Sequence, residues 1–320
     1  MAGILDSDMK LNASGYEQVV STLTAVSGQL TTQKFYEIDF ASFMPVVKGN
    51  GAFMNQVLNW KASVTGEGFE SGLVSHSSNQ ARLGLVGAEF EAQYQNVITW
   101  AKAVQYSLIE LNQAAQANNM FSLIEAREMA RRKEFQLGLQ KWAFFGGKSE
   151  TGLLNQSAVS ADTATITKRI HTMTAAEFNT FAGALIGNYR AATNYTAMPT
   201  HFIIPEKDRL GLCNFPDAAF PIKSRLQLLT EAFREVTQNP NFQILSTAYN
   251  DKAIHPSAVN RYVLLNYDPT SLKLDLPLDY TQTMAGTVNG FTFENAAYAQ
   301  FTGLVLLRPK ELQYFDNTAT

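Results

Sequence analysis

Apolar and polar positions change rhythm several times along the chain, and each rhythm predicts an element. Two strand-like runs, LNWKASVTG from Leu58 and ARLGLVGAEFEAQYQNVITW from Ala81, flank the polar, glycine-containing GEGFESGLVSHSSNQ. Together they predict a long two-stranded excursion over about residues 52–99. A two-stranded ribbon is marginal alone in water, so this one has to lean on other structure, another subunit included. Residues 1–33 are polar and weakly periodic and predict an arm without a core of its own. From Lys34 to Val47 the pattern becomes extended and apolar until Gly49-Asn50-Gly51 breaks it.

A helical stretch, AVQYSLIELNQAAQ, leads into a longer one that runs from Leu123 to about Phe145. Ser122-x-x-Glu125 is a capping-box pattern that satisfies orphan N–H groups in its first turn. Leu123, Ala126, Ala130 and Leu137, with Met129 and Phe135 one stripe over, predict its apolar face; Glu128 and Arg132 form an i,i+4 pair outside. Two further capping boxes, Thr174-x-x-Glu177 and Ser224-x-x-Gln227, open helices with Phe178, Phe181, Leu185 and Tyr189 in line on one and Leu226, Leu229 and Phe233 on the other. These helices alternate with the strands THFIIP, NFQILS and RYVLLNY, which makes residues 170–268 an α/β lobe. The remainder reads as β. Leu272, Leu274, Leu276 and Leu278 alternate with polar residues and proline, Asn289-Gly290 marks a hairpin, and TGLVLLRPKELQYFD is a strand interrupted near Pro309.

Composition adds a constraint. The 320 residues are 46% hydrophobic, enough for sizeable cores, but only 17% are charged, against a usual ~25%. A surface poor in charge suits contact with other protein, and oligomerisation is the first expectation. The net charge of −3 supplies no global field for nucleic acid or an anionic membrane. One cysteine, Cys213, excludes an intrachain disulfide and a cysteine-based zinc site. The N-terminus has no basic region followed by an apolar run, and no run of ~18 apolar residues occurs, so the reading is a chain made in a cytoplasm with no membrane partner.

Catalytic patterns are sought and not met. GGKS at 146–149 lacks the first glycine of a phosphate-binding loop, since Trp142 stands there, and a helix precedes it where a strand belongs; Gly146 and Gly147 read instead as a helix stop. His76, His171, His201 and His255 form no metal-ligand spacing, and GFESG lacks the outer glycines of a nucleophile elbow. The pairs Glu67/Glu70 and Asp275/Asp279 are ordinary surface acids by spacing. REMARRKE carries Arg127, Arg131 and Arg132 but interleaves them with glutamates, which predicts a solvated or intersubunit salt-bridged face of the long helix. No enzyme, cofactor or metal site is expected.

The order of parts carries more than any site. The helix end Ala143-Phe144-Phe145-Gly146-Gly147 followed by Gly152-Leu153-Leu154-Asn155, together with arm, excursion, lobe and returning strands, resembles the major capsid proteins of tailed bacteriophages, the α+β Hong Kong 97-type fold. The sharp part of the resemblance is residues 95–155. It implies an N-terminal arm (1–33), a peripheral domain from 34–48, 95–160 and 275–320 with the long helix as spine, an extended loop (49–94) lying over an adjacent subunit, and an axial domain (161–274). Trp60, Phe69, Leu73 and Leu85 of the loop would be buried against neighbours. The resemblance further implies self-assembly through hexamers and pentamers into a shell enclosing double-stranded DNA held by nonspecific contacts. It also implies a portal, a separate scaffold because the arm is short, and decoration proteins. Two alternatives stand beside it: an encapsulin-type nanocompartment shell of the same fold, and a soluble α/β enzyme with a β-rich accessory domain.

Overall fold

The computed structural model describes residues 34–49, 51–66, 86–116, 123–214, 220 and 222–319. The arm, the centre of the excursion with Phe69, Leu73 and Leu85, and the expected cap Ser122 lie outside them.

The described chain enters as an extended segment, turns through a 3-10 helix at Phe40–Ser42 and forms a short strand, β1 (Val46–Lys48). Asp39 starts the turn by accepting from Ala41 N. β2 (Gln56–Gly66) and β3 (Val86–Ser107) then pair antiparallel from Gln56–Asn96 to Gly66–Val86. β3 passes directly into α1 (Leu108–Gln116), followed by α2 (Leu123–Phe145). The stretch Ala103–Ser107, expected to be helical, is therefore strand. Its pairing with the C-terminal β-region, Tyr106 opposite Phe293 with rings 5.9 Å apart, decides against local propensity.

The lobe contains β4 (Ala161–Asp162), α3 (Ala175–Ala192), β5 (His201–Pro205), α4 (Glu206–Leu212), α5 (Arg225–Thr237), β6 (Gln243–Thr247) and β7 (Asn260–Leu265). Both predicted capping boxes are formed, Thr174 with Glu177 and Ser224 with Gln227. Then come β8 (Leu272–Leu276), β9 (Leu278–Gln282), β10 (Gly286–Thr287), β11 (Thr292–Thr302), β12 (Leu304–Leu306) and β13 (Leu312–Asn317). The Asn-Gly hairpin joins β10 to β11, with Gly290 at φ +75° and Asn289 Oδ1 accepting from Thr292 N at 2.7 Å.

Among the described residues the strands form three sheets, ordered β1-β8-β12, β10-β11-β3-β2 with β9 on β11, and β4-β13-β7-β5-β6. β13 belongs by sequence to the peripheral stretch 275–320, yet it pairs with β7 from Leu312–Leu265 to Asn317–Asn260 and so lies inside the lobe's sheet. That sheet is covered on both sides. Phe202, Ile204, Tyr262, Leu264 and Phe315 face the lobe helices, and Ile203, Val263, Leu265, Leu312 and Tyr314 face a second core with Phe144, Leu153 and Leu274. Alternation along fully buried strands thus joins the two halves of the subunit through one sheet.

Asp275 also differs from expectation. It sits in a strand predicted to be polar on one face, but it is fully buried, 3.2 Å from Lys273 Nζ.

Candidate functional site

The most unusual surface of the molecule is one face of the β2–β3 ribbon. Residues directly opposed in an antiparallel pair project from the same face, and that face alternates along each strand. Leu58, Trp60, Ala62 and Val64 stand opposite Tyr94, Ala92, Phe90 and Ala88, so every member of the four pairs is apolar or aromatic. Asn59, Lys61, Ser63 and Thr65 occupy the other face with Gln93, Glu91, Glu89 and Gly87, and Lys61 lies 3.8 Å from Glu91 there. The apolar face is bare: Trp60 is 64% exposed, Phe90 68% and Val64 85%. Large aromatic and aliphatic side chains left open over a strip of this length amount to on the order of 500 Å², at the upper end of what monomers tolerate. Trp60, expected to be buried against a neighbour, is exposed on this face of the single subunit. Phe90, Tyr94, Leu58 and Val64 were not singled out there, although reading i, i+2 alternation through both runs at once finds them.

The end of α2 is the second constructed feature. An α-helix leaves its last four carbonyls without partners, and here each is taken. Trp142 O accepts from Gly146 N at 2.6 Å, Ala143 O from Leu153 N at 2.9 Å, Phe144 O from Leu154 N at 2.8 Å and Phe145 O from Asn155 Nδ2 at 2.6 Å. Gly146 has φ +67°, the left-handed stop expected of it. A Cβ there would sit against Glu150 O and 2.7 Å from Thr151 C, and one at Gly147 would strike the Trp142 ring. The segments FFGG and GLLN are therefore a single device: the second returns to cap the helix that the first ends.

The face of α2 agrees with prediction at Phe135 and differs elsewhere. Phe135 and Leu139 are buried against Leu276, Ala299 and Phe301, and the same stripe continues through Ala143, whereas Met129 and Ala130 are exposed. The stripe also contains Arg131, only 4% exposed, which donates from Nη2 to Asn295 Oδ1 (3.0 Å), from Nη1 to Asn295 O (2.5 Å) and from Nε to Tyr280 OH (3.1 Å). Arg127 donates from Nη2 to Glu110 Oε1 at 3.1 Å and from Nη1 to Gln105 O at 2.8 Å, and its guanidinium holds the Glu110 carboxyl below the usual range. Arg131 is thus an internal strut between α2 and the sheet beneath it, unlike the solvated face expected there, whereas Arg127 is 35% exposed in its ion pair with Glu110 of α1 and Arg132 stays exposed. Glu128, expected to pair with Arg132, accepts from Asn295 Nδ2 at 3.1 Å. A hydrophobicity count cannot place a buried arginine whose partners are backbone and amide oxygens from distant strands.

Of the other titratable groups, His201 is buried beside the Tyr267 ring, and burial lowers it to about 4. Burial, then the nearby Arg261, lowers His255. Asp208, fully buried, accepts from His171 Nδ1 and Tyr262 OH, each at 2.5 Å. No group of three or more His, Cys, Asp or Glu able to hold a metal occurs among the described residues. Asp275 and Asp279 do not pair either, since Asp279 is bridged to Lys48 at 2.8 Å.

A family model described as major capsid protein matches residues 75–317, more than half of the chain. The chain belongs to that family. Its fold is the Hong Kong 97 type of tailed-phage capsid subunits. The capsid of Myoviridae phage XM1 superposes with a TM-score of 0.73 at 17% identity, covering 93% of this chain and 97% of that one. The Mycobacterium phage Bobi structure gives 0.60 at 13% identity, over 94% and 97%. The capsid of a native GTA particle gives 0.58 at 11%, over 93% and 96%. No curated protein sequence matches. The capsid subunit accordingly forms a shell with copies of itself, as part of a virion.

Proposed function

We propose that this capsid subunit assembles through hexamers and pentamers into a closed icosahedral or prolate shell around double-stranded DNA, with the apolar face of the β2–β3 ribbon laid over an adjacent copy. The observation that carries this reading is the bare strip formed by Leu58, Trp60, Val64, Phe90 and Tyr94. At roughly 25 cal/mol per Å², covering ~500 Å² contributes about 10 kcal/mol before the costs of association, and a shell repeats each such contact many times. A groove of about 550 Å³ between residues 37–41 and α2 has an apolar floor of Phe135, Leu139 and Leu276 and a charged rim of Arg132, Lys48 and Asp279, which suits it to receive such a strip. Residues 161–274 would form the axial domain at capsomer centres, joined there by β13. DNA contact would run through phosphates without sequence preference. Portal, separate scaffold and decoration proteins complete the expected partners, with assembly in a host bacterial cytoplasm.

The test is a double substitution, Trp60→Ser with Phe90→Ser. Both side chains are solvent-exposed in the single subunit, so its melting temperature should stay within a few degrees of wild type. Size-exclusion chromatography and negative-stain microscopy should then find subunits or capsomers and no closed shells. Uniform shells from the double variant would overturn the ribbon's assigned role.

A further inference from the structure

Gln140 lies on α2 and is 3% exposed, yet its partners are not on its own helix. Its Oε1 accepts from Ile38 N at 3.0 Å, and its Nε2 donates to Tyr36 O at 3.1 Å and to Tyr249 OH at 2.8 Å. One carboxamide therefore offers residues 36 and 38 an acceptor and a donor, as a neighbouring strand would, and satisfies an extended segment that has no strand beside it. The segment is pinned at two more points. Tyr36 OH donates to Thr247 Oγ1 at 3.3 Å and accepts from Ala248 N at 2.9 Å, while Glu37 pairs with Lys133 of α2. Its ring meets Tyr249 edge-on at 5.6 Å. Residues 35–39 thus cross from the long helix to the lobe's 3-10 turn at Ala248–Asn250, outside both.

We propose that Gln140 is a positioning residue that holds residues 35–39 as a strap across this junction and so fixes the point and direction from which the preceding part of the chain sets out. Its relevance to shell geometry rests on the assembly reading above. A glutamine filling a core gap would need no such arrangement, because its three bonds all serve groups that tie one segment to two separate elements. Tyr249 is the shared post: it receives Gln140 through its hydroxyl and Tyr36 through its ring.

The experiment is hydrogen exchange on the full-length subunit, unassembled and in shells, together with trypsin cleavage after the exposed Lys34. Gln140→Glu keeps the acceptor for Ile38 N but sets a carboxylate oxygen against Tyr36 O. The expected result is exchange at the Ile38 amide at least tenfold faster, with cleavage after Lys34 accelerated in parallel, while α2 amides from Arg131 to Phe144 stay within twofold of wild type. Tyr36→Phe, at a half-exposed position, removes only the hydroxyl's bonds to Thr247 and Ala248 and should give a smaller rise in both readings, and Tyr249→Phe, which leaves the bonds to residues 36 and 38 intact, should change them little. Shells of Gln140→Glu should show a broader diameter distribution. Unchanged Ile38 exchange in both Gln140→Glu and Tyr36→Phe overturns the strap. So does a rise shared equally by α2, which would mark Gln140 as ordinary core. Should the wild-type chain form no shells at all, the assembly reading falls while the exchange comparison still decides the strap.

Discussion

Gly146 and Gly138 sit in or beside the same helix, and the same substitution should act on them with opposite sign. At Gly146 an alanine must adopt φ +67°, which costs about 1 kcal/mol for a residue with a Cβ. The new carbon would also press on Glu150 O and stand 2.7 Å from Thr151 C and 2.8 Å from Gly152 N, all backbone atoms that no rotamer change can move aside. The turn over residues 147–152 has to shift, and with it the two bonds from Leu153 N and Leu154 N that close Ala143 O and Phe144 O. Losing these partly buried bonds costs about 1 kcal/mol each, which brings Gly146→Ala to about 3 kcal/mol of destabilisation. Gly138 is exposed in the interior of α2, where a Cβ meets nothing within 4 Å. Gly138→Ala should therefore stabilise by roughly 0.5–1 kcal/mol, since alanine loses less backbone freedom in a helix. Urea titration of the dissociated subunit reads both as shifts of midpoint at unchanged slope. A Gly146→Ala variant within 1 kcal/mol of wild type, or a Gly138→Ala variant destabilised as much as Gly146→Ala, would refute the account of the helix end.

Two further outcomes follow from buried groups. Arg131→Met keeps the stem's packing but strands Asn295 O and Oδ1 and Tyr280 OH, and should cost about 2–4 kcal/mol in the same titration; a loss below 0.5 kcal/mol would show that water or rearrangement replaces the guanidinium. His201, lowered by burial to about 4 from 6.5, makes the unfolded chain bind the extra proton between those values, so stability falls as pH drops from 6.5 toward 4, by at most about 3 kcal/mol, and this contribution levels off below 4. His201→Gln should lose less stability than wild type between pH 7 and pH 5, and equal losses would remove His201 as the cause.

What could be read from the sequence was what local chemistry decides. Thr174 with Glu177 and Ser224 with Gln227 close their boxes within four residues, and the Asn289-Gly290 turn needs only its own backbone. What could not be read depended on distant partners. Ala103–Ser107 has a helix-compatible pattern and becomes strand because β11 lies beside it. The buried stripe of α2 was read at Phe135 and missed elsewhere, in part because it begins with Arg131, polar by composition and internal through Asn295 and Tyr280. The pairing of β13 with β7 was not legible because nothing within LQYFDN announces a partner some fifty residues earlier. For the ribbon, alternation was legible, but only the register that sets Trp60 opposite Ala92 and Ala62 opposite Phe90 shows that both strands turn their apolar sides the same way.

That register also bears on why the strip is bare in a subunit whose cores are otherwise closed. β3 is one strand of 22 residues, and its pairing with β11 reaches only to Val97; from Asn96 outward it is accompanied by β2 alone. At ~3.3 Å per residue the stretch from Val86 to Asn96 extends roughly 35 Å past the end of the pairing with β11. At its base, Trp100 of β3 packs on Phe135 at 4.9 Å and Phe301 of β11 packs on Trp142 at 5.4 Å, which anchors the strand between the sheet and α2. A ribbon anchored at its base and apolar along one side is open to a cover that approaches from outside, and under the assembly proposed above that cover is another copy.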